Sequence, residues 1–206
     1  MKRPIIDPNK SYTFSDYFEM NIRIYELTAY FGYQHTLIPY VLPQTTVDMT
    51  YFASLKTQLE TNLRYIYLSS EAARREALVA PILFSLAAYL KTPVNVEFSL
   101  EVSKQLKGKI DYFIQRHNQL LVIEAKHDDL DKGFKQLTAE LIAVDQWLDE
   151  GITPLYGIIT LGNVWQFGIL DRNTKLITQD TNLYPIPTDL EKLLGILIAI
   201  LKGSNP

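Results

Sequence analysis

Gly108-Lys109-Ile110-Asp111-Tyr112-Phe113-Ile114, followed by Gln119-Leu120-Leu121-Val122-Ile123-Glu124-Ala125-Lys126, is the stretch whose reading decides the fold. Residues 120–123 are apolar at every position, the pattern of a central strand covered on both faces, and the run then gives way to charge. Side chains alternate along a strand, so Glu124 and Lys126 project to one face and Ala125 to the other. Asp111 is the lone acid among the apolar positions of the preceding strand, 108–115, and Arg116-His117-Asn118 supplies turn-forming residues between the two. A hairpin of strands 108–115 and 119–126 would set Asp111 beside Glu124.

Working outward, residues 94–100 alternate apolar with polar and predict a strand ahead of the hairpin. Before it, Ser69 and Ser70 suit the N-cap of a helix running through Glu71, Arg75, Leu78 and Leu86, which Pro81 kinks or interrupts. Phe14, Phe18, Ile22 and Tyr25 recur at helical spacing and predict one helix that stops near Gly32, and Phe52, Leu55, Leu59 and Leu63 predict another. Pro39 and Pro43 bracket a short apolar piece between them. Downstream, Asp131 is the expected cap of a long helix with the stripe Phe134, Leu137, Leu141, Val144 and Leu148. Strands at 155–160, 164–170 and 175–178 form an antiparallel meander. Thr188-Asp189-Leu190-Glu191 then reads as a capping box opening a last apolar helix, with Gly203 at its stop. The order helix, three strands, helix, strand gives a mixed α/β (α+β) fold. Residues 1–68 are expected as an N-terminal helical extension, and 69–206 as one compact unit closed by a C-terminal helix.

The 206 residues contain no cysteine, which excludes disulfides, thiolate metal sites and cysteine nucleophiles and suits a reducing, cytoplasmic setting. The N-terminus is basic but lacks an apolar h-region, and Pro4, Asp7 and Pro8 argue against a signal peptide. The longest apolar run, 193–201, is far shorter than the ~20 residues of a membrane span, so no membrane partner is expected. A formal charge of −3 counts against tight, nonspecific binding to nucleic acid. No phosphate-binding glycine loop, Gly-x-Ser-x-Gly elbow or His-Glu-x-x-His helix occurs.

Two carboxylates meeting at a strand end are a usual way to hold Mg²⁺, which prefers hard oxygen ligands and keeps waters for substrate and nucleophile. A neighbouring lysine can orient such a water or offset transition-state charge, so the implied reaction is phosphodiester hydrolysis. With each charged residue type near ~6% of positions, a Glu-x-Lys triplet arises by accident about once in such a chain. Its place after an apolar strand, with Asp111 before it and a capped helix after it, is what gives it weight.

Asp111 with Glu124-Ala125-Lys126 resembles the signature of the PD-(D/E)XK nuclease superfamily, the restriction-endonuclease-like fold. Ile110 stands where the signature's proline would precede the aspartate. The resemblance spans about half the chain, roughly residues 71–161. It implies a core of helix, three strands, helix and strand, Mg²⁺ as cofactor with Mn²⁺ as substitute, and nucleic acid as partner, DNA in the first instance, with a homodimer as a family expectation. It further implies that Asp111 and Glu124 are metal ligands, that Lys126 is catalytic, and that Gln136 stands near the lysine. The segment from Ser70 to Arg75 is similar to the start of the nuclease domain in type I restriction subunits, which makes Glu71 the choice for a third metal ligand. Glu76, five residues on, competes, and spacing does not decide between them. Lys132 and Lys135 are candidate phosphate contacts, ahead of Arg172 and Lys175. Trp147 and Trp165 are candidates for base stacking, while His127 is given no role. The leading expectation is a divalent-metal-dependent endonuclease of restriction, defence or repair. The alternative is a nuclease-fold protein that has lost cleavage and serves as a binding or assembly module.

Overall fold

The structure is a computed structural model and describes residues 6–116, 119–126, 129–149, 151–152 and 154–203. Helices α1 (Phe14–Glu19) and α2 (Ile24–Tyr30) lead into strand β1 (Gln34–Ile38) and helix α3 (Ala53–Tyr65). Helix α4 (Glu71–Arg74) continues through a π-helical turn (Arg75–Val79) into α5 (Ala80–Leu90). Strands β2 (Val94–Ser103), β3 (Leu106–Arg116) and β4 (Gln119–Ala125) follow, then helix α6 (Leu130–Trp147). Strands β5 (Leu155–Thr160), β6 (Val164–Asp171) and β7 (Leu176–Pro185) and helix α7 (Leu190–Lys202) complete the chain.

The strands form one seven-stranded sheet in the order β1-β7-β6-β5-β4-β3-β2. β4 runs parallel to β5 and β1 parallel to β7, while the other neighbours are antiparallel. The parallel pair β4 and β5 needs a crossover, and α6 is that crossover. Helices cover both faces of the sheet. On one side Leu59, Leu78, Ile82 and Leu86 pack with Leu194, Leu197 and Ile198 of α7 over Ile123, Ile158 and Phe167. On the other, Phe134, Leu137, Leu141 and Val144 of α6 pack over Val122 and Ile159, with Phe14, Tyr17 and Leu27 of the N-terminal helices in the same cluster. β4 therefore lies between two apolar layers, as its uninterrupted apolar run requires. Among the described residues, no helix is long and apolar enough to cross a membrane.

Several local readings are corrected. The single helix expected from Phe14 to Gly32 is two short helices, because Met20 is extended and each helix has its own N-terminal acid: Thr13 N–H donates to Asp16 and Arg23 N–H to Glu26. The 1–68 segment is not wholly helical, since β1 joins the sheet beside β7. Its Leu37 and Ile38 are exposed, so an edge strand with little buried face left no alternating pattern to read. The interruption expected at Pro81 takes the form of a π-helical turn, Arg75–Val79, directly before it, after which the helix resumes as α5. Asp129, not Asp131, caps α6 and accepts from Lys132 N–H at 3.0 Å. At α7 the N-cap is Asp189 with no side-chain bond, so the expected Thr188 capping box does not form, whereas Gly203 ends the helix at φ +73. Of the turn expected at 116–118, His117 and Asn118 lie outside the described residues.

Arg172 and Lys175, candidates for phosphate, are committed elsewhere. Arg172 Nε donates to Asp145 Oδ1 at 2.7 Å, and its terminal nitrogens reach the carbonyls of Asp145, Leu148, Asp149 and Ile152. The guanidinium thus satisfies carbonyls that the end of α6 would otherwise leave open. Lys175 Nζ at 2.6 Å and the Tyr33 hydroxyl both donate to Asp145 Oδ2. Arg172→Ala leaves the Asp145 carboxylate short of its main partner, and urea denaturation is expected to show a loss of about 3–5 kcal/mol. Lysine at 172 recovers little of this, having no planar fork of donors.

Candidate active site

The β3–β4 ladder pairs Tyr112 with Ile123, so one step further along the strands Asp111 faces Glu124. Asp111 Oδ2 accepts from Ala125 N–H at 2.9 Å, which pins the carboxylate to the end of β4. Lys126 N–H donates to Thr160 O at 2.8 Å and so extends the pairing of β4 with β5 to the lysine. Its side chain turns to the same face as Glu124 and meets Glu124 Oε1 at 2.5 Å. Gln136, from α6, donates to that same oxygen at 2.7 Å. Four of the residues marked in the sequence, Asp111, Glu124, Lys126 and Gln136, are thus brought together.

Gly133 makes the approach of α6 feasible. A Cβ there would lie 2.5 Å from Ile159 Cδ1 and 3.3 Å from Lys126 Cγ, so a larger residue would push the helix start away from the lysine.

Of the two acids left open on the first core helix, Glu71 reaches the site, with Oε2 3.6 Å from Lys126 Nζ, while Glu76 is exposed. Glu71 meets the lysine rather than joining the other acids. Among the described residues no three Asp, Glu or His side chains form a ready metal-binding group, so the expected trio of ligands reduces to the pair Asp111 and Glu124. Lys132 is exposed, 3.7 Å from Asp129, with its ammonium over the Phe18 ring. Lys135, expected to meet phosphate, is buried and donates to Met20 O at 2.6 Å, where it holds the break between α1 and α2. Trp165 is buried and Trp147 packs against Phe98 and Phe113, so neither stands at the site. His127 lies outside the described residues.

Three contributors were not assigned to the site from the sequence. Arg75 NH1 lies 3.2 Å from Asp111 Oδ1, and its position four residues after Glu71 was the available signal. Glu140 Oε1 accepts from Gln136 Nε2 at 3.0 Å, again four residues along one helix. Phe18 carries its ring 5.5 Å from Lys126 Nζ, and nothing local announces that contact. With Glu19, Glu71, Lys126 and Gln136 it lines a cavity of about 350 Å³.

Burial, followed by the nearby Asp111 charge, pushes the Glu124 carboxyl up to about 7 against the pull of Lys126. Burial likewise raises Asp111, although Ala125 N–H and Arg75 oppose it. Glu140 is raised well above the ordinary range by burial and by Glu124. Burial alone would lower Lys126, but the surrounding carboxylates, Glu124 first, win and raise it. The lysine is therefore a cation and not a base at neutral pH. Glu124 Oε2, Gln136 Oε1 and Glu140 Oε2 are buried without a hydrogen-bond partner. An uncompensated carboxylate oxygen beside a second carboxylate fits a hard divalent cation.

No protein-family model, curated protein or solved structure matches the chain.

Without metal, the raised carboxyls keep their protons in the folded chain at pH values where the unfolded chain has released them. Their stabilisation is complete below about 4.5, the ordinary glutamate value, and for Glu124 is lost as pH rises through about 7. Glu140→Gln removes one such group. In metal-free buffer its melting temperature should exceed that of the parent at pH 8, with the gap closing by pH 5. A variant less stable at pH 8 would show that the charged form of Glu140 is favoured instead.

Proposed function

We infer that this chain is a divalent-metal-dependent nuclease that hydrolyses phosphodiester bonds, DNA in the first instance, and that its core is the restriction-endonuclease-like arrangement. The observation that carries the reading is the convergence of Asp111, Glu124 and Lys126 at the ends of two neighbouring strands, with Glu124 Oε2 buried and unpaired. The element order from α5 through β2, β3, β4, α6 and β5 supports it.

Asp111 and Glu124 would hold Mg²⁺, or Mn²⁺ in its place. When bound, the ion supplies Lewis-acid polarisation of a phosphoryl oxygen and a water of lowered pKa. Lys126, kept charged by Glu124 and Glu71, orients the attacking water and offsets the negative charge that builds on the phosphoryl oxygens. Gln136 fixes the Glu124 carboxylate by donating to Oε1, which leaves Oε2 for the cation. Arg75 balances Asp111. Phe18 and the α1 residues beside it limit the access of bulk water to the lysine.

A binding module without cleavage is the second reading. It is favoured by the Phe18 ring leaning over Lys126 and by the formal charge of −3.

The deciding assay is cleavage of linear, supercoiled and single-stranded DNA and of RNA with Mg²⁺ or Mn²⁺, with Lys126→Ala purified in parallel and its fold checked by circular dichroism. The reading expects cleavage by the parent and a fall of at least about 10²-fold in the variant. It also expects Mn²⁺ to raise the melting temperature of the parent but not of Asp111→Asn. Absence of cleavage together with absence of an Asp111-dependent Mn²⁺ shift would leave the binding module.

A further inference from the structure

The site sits in a confined space. The 350 Å³ cavity that contains Lys126 and Glu71 is walled on one side by α1 through Asp16, Phe18 and Glu19. A volume of that order accepts a group the size of one nucleotide, at the lower end of ligand pockets, roughly 300–1,000 Å³.

A second cavity, of about 490 Å³, opens next to the first at the start of α6. Its lining combines Arg23, Tyr25, Leu37 and Lys132 with Ile22 and His35. Tyr25 and Leu37 are more than half exposed, at 54% and 56%, and the Arg23 guanidinium lies 6.0 Å from the centre of the Tyr25 ring. Lys132 of the second cavity reaches Phe18 of the first: the Phe18 ring has Lys126 Nζ at 5.5 Å and Lys132 Nζ at 5.8 Å. Cations and aromatic rings therefore alternate along one path: Lys126, Phe18, Lys132, then Tyr25 with Arg23. Such alternation is how a protein follows a single polynucleotide strand, the cations meeting phosphates and the rings receiving bases.

Charge points the same way. Duplex binders neutralise many phosphates, commonly about 6–10. Here three cations mark the path, and acids share both linings with them, Asp16, Glu19 and Glu71 in the first cavity and Asp129 and Asp131 in the second, so the path offers far fewer free cations than a duplex contact uses.

We propose that the substrate is a single polynucleotide strand, with its scissile phosphate at Lys126 and a neighbouring nucleotide seated in the cavity of Tyr25, Arg23 and Lys132. This deepens the nuclease reading and rests on it for the position of the scissile phosphate, whereas strand binding is measurable without cleavage.

The experiment is fluorescence anisotropy of labelled 20-nucleotide DNA and RNA single strands, and of the matching DNA duplex, against the full chain in EDTA. Tyr25→Ala, Tyr25→Phe and Lys132→Ala are measured alongside, and cleavage of the same probes is followed in Mn²⁺. A single strand is expected to bind at least tenfold more tightly than the duplex. Tyr25→Ala should weaken strand binding about tenfold and Tyr25→Phe should restore it, as stacking on an aromatic ring demands. Lys132→Ala should weaken binding and flatten its salt dependence. Comparison of the DNA and RNA strands names the natural polymer. Duplex bound as tightly as the single strand, no binding of either strand, or no effect of Tyr25→Ala overturns the proposal. Strand binding sensitive to Tyr25 without any cleavage would preserve the path and defeat the nuclease reading. Cleavage of duplex that ignores Tyr25 would do the reverse.

Discussion

Helix α6 is enclosed on nearly every side, and most of what sets this protein apart follows from that enclosure. The sheet lies beneath it and the N-terminal helices lie over it, so residues 133–145 are buried without a break. An amphipathic helix ordinarily turns its polar face to water. Here that face has no water to meet, and Lys135, Gln136, Glu140 and Asp145 must find partners inside the protein. Asp145 does so through Arg172 and Lys175, and Lys135 through a backbone carbonyl. Gln136 and Glu140 find theirs in each other and in Glu124, which places the polar remainder of α6 against the charged end of β4.

The same enclosure accounts for the electrostatics of the strand ends. Glu124 and Glu140 lie out of water with the mostly buried Asp111 within reach, and two cations, Lys126 and Arg75, stand among them. Burial works against every charge in the group, yet the carboxylates together hold the lysine in its cationic form. An acidic cluster with an incomplete complement of cations has an affinity for positive charge built into it.

The parts of this arrangement that were legible in the sequence are those whose determinants are local. The change from an apolar run to Glu124-Ala125-Lys126 marks a strand end whatever surrounds it, and Ser70 caps its helix through its own neighbour Ala73. Strand pairing follows from adjacency along the chain, so Asp111 could be placed beside Glu124. What escaped depends on contacts distant in sequence. Lys135 reads as a surface lysine until the carbonyl of Met20 arrives above it. Phe18 fits an ordinary helical stripe, and only the packing of α1 on α6 carries it to Lys126. β1 lacks any pattern of its own because its partner is β7, about 140 residues away. Glu71 and Glu76 were indistinguishable by spacing, and the approach of Lys126 separates them.

That pairing of β1 with β7 has a temporal side. A chain that emerges from the ribosome in order exposes residues 34–38 long before 176–180 exist, so the sheet edge nearest the N-terminus is the last to be closed. Until then α1 and α2 have only α6 and the β2–β3 hairpin to settle on, and Tyr33 cannot share Asp145 with a lysine that has yet to be made. The helices beside the Lys126 cavity thus settle on α6 and the β2–β3 hairpin while the β1 edge behind them waits for the end of the polypeptide, and a nascent chain carries its charged strand ends assembled before the sheet around them is complete.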